Sequence, residues 1–252
     1  MKNRIFNISI TLLLSIFVLV SCSEDSEEIS SNHSSYETQS SVSIGKTQDN
    51  NAVGSSQPNL TSADIGKYHN EAINLYYRNG GGSGATIQEI QDEIIVVMQQ
   101  AYPTLMKDFK ISTDYNFISA YYGEKSINPT QKKDLVNAGL NKMVSEKTIT
   151  SNFADGIKNV TLVKDTYTNK MKMLNSIKVT NNEESYLLDT YKEVLTNSNN
   201  LWNDGGTQSA RLKCSSGVIA ADAVGAAVGL FGGPLWSIIQ GAVVSIAVNE
   251  DC

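Results

Sequence analysis

From Thr61 onward the apolar residues recur at three- and four-residue intervals, the period of a helix with one buried face. Ile65, Tyr68, Ala72, Leu75 and Tyr76 fall on one such face, and Asn79-Gly80-Gly81-Gly82-Ser83-Gly84 ends the helix. Thr86 and Glu89 have the spacing of a capping box, and Ile87, Ile90, Ile94, Val97, Met98 and Ala101 follow until Tyr102-Pro103 stops the run. Residues 104–122 predict a short helix rich in aromatic side chains (Phe109, Tyr115, Phe117, Tyr121, Tyr122), closed by Gly123. Asn128-Pro129 marks a helix start, with Leu135, Val136, Ala138, Met143 and Val144 behind it. A further helix is predicted from about Val160 to Lys178, using Leu162, Val163, Tyr167, Met171 and Leu174. The last of the set begins near Asn181 or Asn182. Glu183 and Glu184 lie in its first turn, where the helix dipole favours negative charge; Leu187, Tyr191, Val194, Leu195 and Trp202 supply its stripe, and Gly205-Gly206 ends it. No strand-like alternation of useful length interrupts this series, so the class is all-α: a bundle of five or six helices over residues 60–204.

Beyond the bundle, in residues 205–252, the pattern changes. A small residue stands at every fourth position, namely Gly217, Ala221, Gly225, Gly229, Gly233, Ser237, Gly241 and Ser245, and the residues between are nearly all apolar. Positions four apart stack on one helix face, so this row lets another helix approach to backbone contact. One continuous helix is not expected, because Gly232-Gly233-Pro234 can end one helix in a left-handed cap and open the next. Cys214 and Cys252 each lie 19 residues from Gly233. Two equal arms folded at the centre bring the cysteines together, and an oxidising compartment would make them a disulfide. Each arm, 217–231 and 234–248, is about 22 Å long at ~1.5 Å per residue, short of a ~30 Å hydrocarbon core. The expectation is a disulfide-closed Gly/Ala-rich helical hairpin packed through Val224, Val228, Phe231, Leu235, Trp236, Ile239 and Val243.

The start of the chain predicts location. Basic Lys2 and Arg4 precede an apolar run from Ile5 to Val20, a processing signal over residues 1–21. Leu19-Val20-Ser21-Cys22 resembles the lipobox of bacterial lipoproteins, which implies that Cys22 carries lipid and becomes the mature terminus. Ser23-Glu24-Asp25-Ser26-Glu27-Glu28 resembles the acidic tract with which Bacteroidota send lipoproteins to the surface of the outer membrane. Residues 22–59 are dominated by Ser, Asn, Gln, Glu and Thr and read as a disordered tether, with a reach on the order of 35 Å. Removing Lys2 and Arg4 leaves 18 basic residues against 26 acidic ones, so the net charge moves from -6 to -8. An acidic surface disfavours nucleic acid and electrostatic docking on anionic lipid. The membrane partner is therefore reached through the lipid on Cys22.

Catalytic chemistry finds little to stand on. The chain has two histidines, and His33 lies in the tether, so His69 is the one imidazole of the folded part, expected half-buried. That argues against a zinc site, and pairing Cys214 with Cys252 leaves no thiol for a Cys-His pair. Glu89, Asp92, Glu93, Glu183 and Glu184 suit solvated faces and helix starts. The loop Gly80–Gly84 lacks the Lys-Ser/Thr ending of a phosphate loop and reads as a linker. The expectation is a non-enzymatic protein with no metal and no small-molecule cofactor.

Two functions remain. One is a surface binding module for a protein partner, or for a second copy through the small-residue seam. The other is membrane insertion, because Gly217, Gly225, Gly229, Gly233 and Gly241 resemble the glycine-zipper segments of some bacteriocins and pore-forming peptides. Those peptides are usually cationic, whereas Arg211 and Lys213 against Asp222, Glu250 and Asp251 give this segment a net -1. Ile65-Gly66-Lys67-Tyr68-His69-Asn70-Glu71 resembles the opening of Bacteroidota lipoproteins in which His-Asn-Glu precedes an amphipathic helix and a Gly/Ala-rich tail ends the chain; that resemblance implies no particular activity.

Overall fold

A helix must replace the hydrogen bonds that its first turn cannot make, and six helices of this chain do so with a Thr or Asn at the start. The computed structural model describes residues 59–82, 84–203 and 216–249, and among these it contains eight α-helices and no strand. Helix α1 (Ser62–Arg78) opens on Thr61, whose hydroxyl accepts from the Asp64 amide while the Asp64 carboxylate accepts from the Thr61 amide. The reciprocal pair recurs with Thr86 and Glu89 at α2 (Ile87–Ala101), and with Asn128 and Gln131 at α3 (Pro129–Ser145). Thr150 starts α4 (Ser151–Leu162) and Thr166 starts α5 (Tyr167–Ser176). Asn181 accepts from the Glu184 amide at 2.7 Å and starts α6 (Asn182–Asn203).

The helix expected over 160–178 is two helices, and its first half begins earlier. Val163 and Thr166 are both extended, with ψ of 136° and 157°. Thr166 then caps α5 through the Asn169 amide, so a local hydrogen bond outcompetes continuation. The apolar period runs straight across this break because α4 and α5 pack on the same core. Residues 104–122 form only a short 3-10 turn, Phe117–Tyr121, in place of the aromatic helix. Their aromatics are spent on the core instead: Tyr115 is buried, and Phe109 stacks on Trp236.

The last two helices, α7 (Ser216–Gly229) and α8 (Pro234–Asn249), form the expected hairpin. The other helices sheathe it. Helices α3, α4 and α6 pack on α7, while α1 and α2 pack on α8. The shell helices are amphipathic and turn their stripes inward. On α1 the buried residues are Ile65, Gly66, His69, Ala72, Ile73 and Tyr76, so Tyr68 and Leu75 of the expected face lie at its half-buried margin.

Candidate functional site: a sheathed apolar hairpin

The hairpin turns where the sequence places its turn. A 3-10 turn, Leu230–Gly232, follows α7; Gly233 has φ +107°, open to glycine and strained for other residues, and Pro234 opens α8. Every residue from Ile219 to Leu230 and from Leu235 to Val248 is buried, whereas Phe231 to Pro234 are half-buried. Among the residues of the hairpin whose burial is described, the turn is where it reaches the surface. The arms, 14 and 16 residues long, measure about 21 and 24 Å. Among the described residues no helix is long and apolar enough to cross a membrane.

Within the small-residue row, contact is at backbone distance. A Cβ added at Gly229 would stand 2.8 Å from the Ser237 Cα, and one at Gly225 would stand 3.0 Å from the Val244 Cβ. At Gly241 it would meet the Ala226 Cβ at 2.9 Å. Ala221, Ser237 and Ser245 are wholly buried, and Gly217 stands in the first turn of α7. The seam is therefore occupied by the other arm of the same hairpin. While the hairpin stays closed, those faces are not open to a second copy.

Polar groups divide into two sets. Within the hairpin, the Ser237 hydroxyl donates to the Ala226 carbonyl at 2.6 Å and the Gln240 amide donates to the Gly225 carbonyl at 3.2 Å, both from one arm to the other. Between hairpin and shell, Trp236 Nε1 donates to the Tyr115 carbonyl at 3.0 Å, the Ile127 amide to the Ala247 carbonyl at 3.1 Å, and the Tyr191 hydroxyl to the Ala220 carbonyl at 3.4 Å.

Among the described residues, the acidic and basic side chains that are wholly buried are His69, Lys170, Glu184 and Asp222, beside the tyrosines Tyr76 and Tyr191. Sequence reasoning placed His69 as half-buried, but α1 lies between α6 and α8 and leaves it no exposed face. Its Nε2 is 3.1 Å from the Ser198 hydroxyl, and its Nδ1 has no hydrogen-bond partner. Burial drives the imidazole pKa down to about 3, so the ring is neutral. Glu184 was expected on a solvated helix start. Instead its two oxygens accept from the amides and hydroxyls of Thr150 and Thr180, at 2.7–2.8 Å, tying the starts of α4 and α6 together. Burial raises its pKa, but those hydrogen bonds outweigh it and hold the carboxyl below its usual range. Lys170 donates to the Val160 and Val163 carbonyls at the end of α4, and burial, helped by Lys132, lowers its pKa to about 8. Asp222, in the middle of α7, attracts the ammonium of Lys132 on α3 and so opposes the effect of burial on that lysine. No pattern of period or motif marks the burial of these groups.

Cys22, Cys214 and Cys252, the signal 1–21, the tether as far as Pro58, and Gly205-Gly206 lie outside the described residues. The glycine loop after α1 connects it to α2, with Gly80 at φ +91° and Gly84 at φ +104°. Among the described residues, no group of three or more His, Cys, Asp or Glu side chains is placed to hold a metal ion. Comparison with known proteins finds no matching family, no matching curated relative and no matching solved structure.

Proposed function

We propose that this chain is a non-enzymatic lipoprotein, anchored at the outer membrane through lipid on Cys22, whose helical shell carries an apolar hairpin in water and delivers it into a bilayer. The observation that supports this reading best is the hairpin's internal hydrogen bonding. Ser237 and Gln240 donate to the opposite arm and not to the shell, so moving the hairpin as a unit need not break these bonds. Apart from Asp222, which attracts Lys132 of α3, and Ser245, the remaining buried residues of the hairpin are Gly, Ala, Val, Leu, Ile and Trp, and hydrocarbon solvates such side chains as well as a protein core does. Arms of about 21–24 Å fit a re-entrant hairpin led by the half-buried turn at Phe231–Pro234. Cys214 precedes α7 and Cys252 follows α8 in the chain, which suits a disulfide across the open end.

The second reading, a water-exposed binding module that keeps the hairpin as its core, is favoured by the bonds that tie hairpin to shell at Tyr115, Ile127 and Tyr191. One measurement separates the two. The mature chain is mixed with dye-loaded vesicles of phosphatidylethanolamine and phosphatidylglycerol containing brominated lipid, with and without reductant. Membrane delivery requires dye release together with quenching of Trp236 in a Trp202→Phe background, where it is the remaining tryptophan. A sharp monomer with no release and no quenching in either redox state leaves the binding module. Peptide mass analysis without reduction tests the staple, and free thiols at Cys214 and Cys252 would remove it.

A further inference from the structure

Where α1 packs on α8, an imidazole lies against a glycine. A Cβ on Gly241 would stand 2.9 Å from His69 Nδ1, so the ring is packed directly over the backbone of the hairpin's second arm. A neutral imidazole needs one hydrogen-bond partner for each nitrogen, and a cationic one needs two acceptors. His69 has Ser198 at Nε2 and no partner at Nδ1. The surroundings supply no counter-charge. Helix α8 has no ionisable side chain, and the one on α7 among its buried residues, Asp222, lies a turn away from Ala226. On α1 the nearest charged residues in sequence are Lys67 and Glu71, and on α6 they are Lys192 and Glu193; none of these contributes to the depression of the imidazole, which burial alone causes. A second proton on this ring therefore creates a buried cation with one N–H facing a glycine backbone.

We propose that His69 is the acid latch of the hairpin: the neutral ring seals α1 against α8, and its protonation opens that contact and frees the hairpin for the bilayer. This rests on the membrane reading above. The cation reaches water only when α1 parts from α8, and parting also withdraws the shell from Gly241. The imidazole binds its proton more tightly in the open state, so each pH unit below about 6.5 favours opening by up to about tenfold until the closed-state value is reached.

The test follows vesicle dye release and Trp236 quenching from pH 7.5 to pH 4.5 in the mature chain and in His69→Gln, whose amide can still meet Ser198 but takes no proton in this range. Release by the native chain is expected to rise steeply below about pH 6.5, and the rise to be lost, by at least tenfold at about pH 5, in the variant. Asp222→Asn and Glu184→Gln serve as comparators, since these carboxyls also gain protons in acid; a rise that follows either of them and ignores His69 overturns the latch. A profile unchanged by His69→Gln overturns the latch and keeps membrane delivery, whereas no release at any pH from the native chain overturns both. Should His69→Gln fail to fold, the native imidazole is titrated by NMR in a His33→Gln chain without lipid. Its protonation must then coincide with loss of the Trp236 near-ultraviolet signal while helicity persists, and a ring that protonates with that signal unchanged refutes the proposal.

Discussion

Gly229 of α7 lies against the backbone of Ser237 in α8, so closely that a Cβ at 229 would stand 2.8 Å from the Ser237 Cα and 3.2 Å from its nitrogen. Backbone atoms cannot swing aside as the end of a long side chain can. Gly229→Ala must separate the two arms, and the resulting loss of packing is expected to exceed the ~1 kcal/mol that alanine gains over glycine in a helix. A net destabilisation of about 1–3 kcal/mol is expected from urea unfolding. Gly156→Ala is the control, since its nearest neighbours are the outer carbons of Ile177 at 3.1 Å, and it should change stability by less than half as much.

Gly139 of α3 meets the hairpin from outside. A Cβ there would stand 2.5 Å from Val228 Cγ1, on a buried, β-branched side chain with little rotamer freedom. Gly139→Ala is expected to lower the melting temperature by several degrees, and Val228→Ala in the same chain to restore part of the loss. A purely additive double variant would show that the two residues do not share this contact.

Glu184 accepts four hydrogen bonds from Thr150 and Thr180. Its folded pKa lies below the unfolded one, so its stabilisation is complete above the unfolded value near 4.5 and is lost as pH falls through the folded value. Glu184→Gln should cost about 2–4 kcal/mol at pH 7, because the amide nitrogen cannot accept and leaves buried donors unmet. The difference should shrink in acid. Denaturant titrations at pH 7 and below pH 4 decide this, and an equal loss at both would show that charge plays no part.

Lys170 works in the opposite range. Its pKa falls from 10.5 to about 8 on folding, so the unfolded chain holds the extra proton between those values and stability rises with pH across them. Relative to Lys170→Met, the native chain should gain up to about 1.4 kcal/mol per pH unit from about pH 8 to pH 10.5. Parallel curves over that range would mean that the buried ammonium is not perturbed.

His69 contributes acid lability by the same sign rule as Glu184, over a different window. The neutral ring is favoured in the fold, so stability is complete above the unfolded value of 6.5 and declines as pH falls toward about 3. Unfolding free energies of the native chain and His69→Gln, without lipid, should therefore converge as pH drops from 7 to 5. If they remain parallel, the ring is not closed to protons.

The sequence by itself determined the helical class, most helix starts and the place of the turn. Thr61 with Asp64, Thr86 with Glu89, Asn128 with Pro129, and Gly233 with Pro234 act within one turn of backbone, so each carries its own geometry wherever the chain goes. Thr166 carried the same kind of signal, and the continuous apolar period across residues 160–178 concealed it. What the tertiary structure alone decided is which faces meet. A helix made of Gly, Ala, Val and Ile is apolar all round and has no pole to point inward, so nothing local ranks the other arm, the shell, a second copy or lipid as its partner. Packing five helices on the two arms filled the small-residue seam from within and closed His69 against Gly241, and the meeting of the α4 and α6 starts turned Glu184 from a surface charge into a clasp. Those outcomes join separate helices, from Gly229 and Ser237 eight positions apart to His69 and Gly241 at opposite ends of the folded part, and the physical reason is that burial and charge pairing are properties of the assembled space, not of the segment.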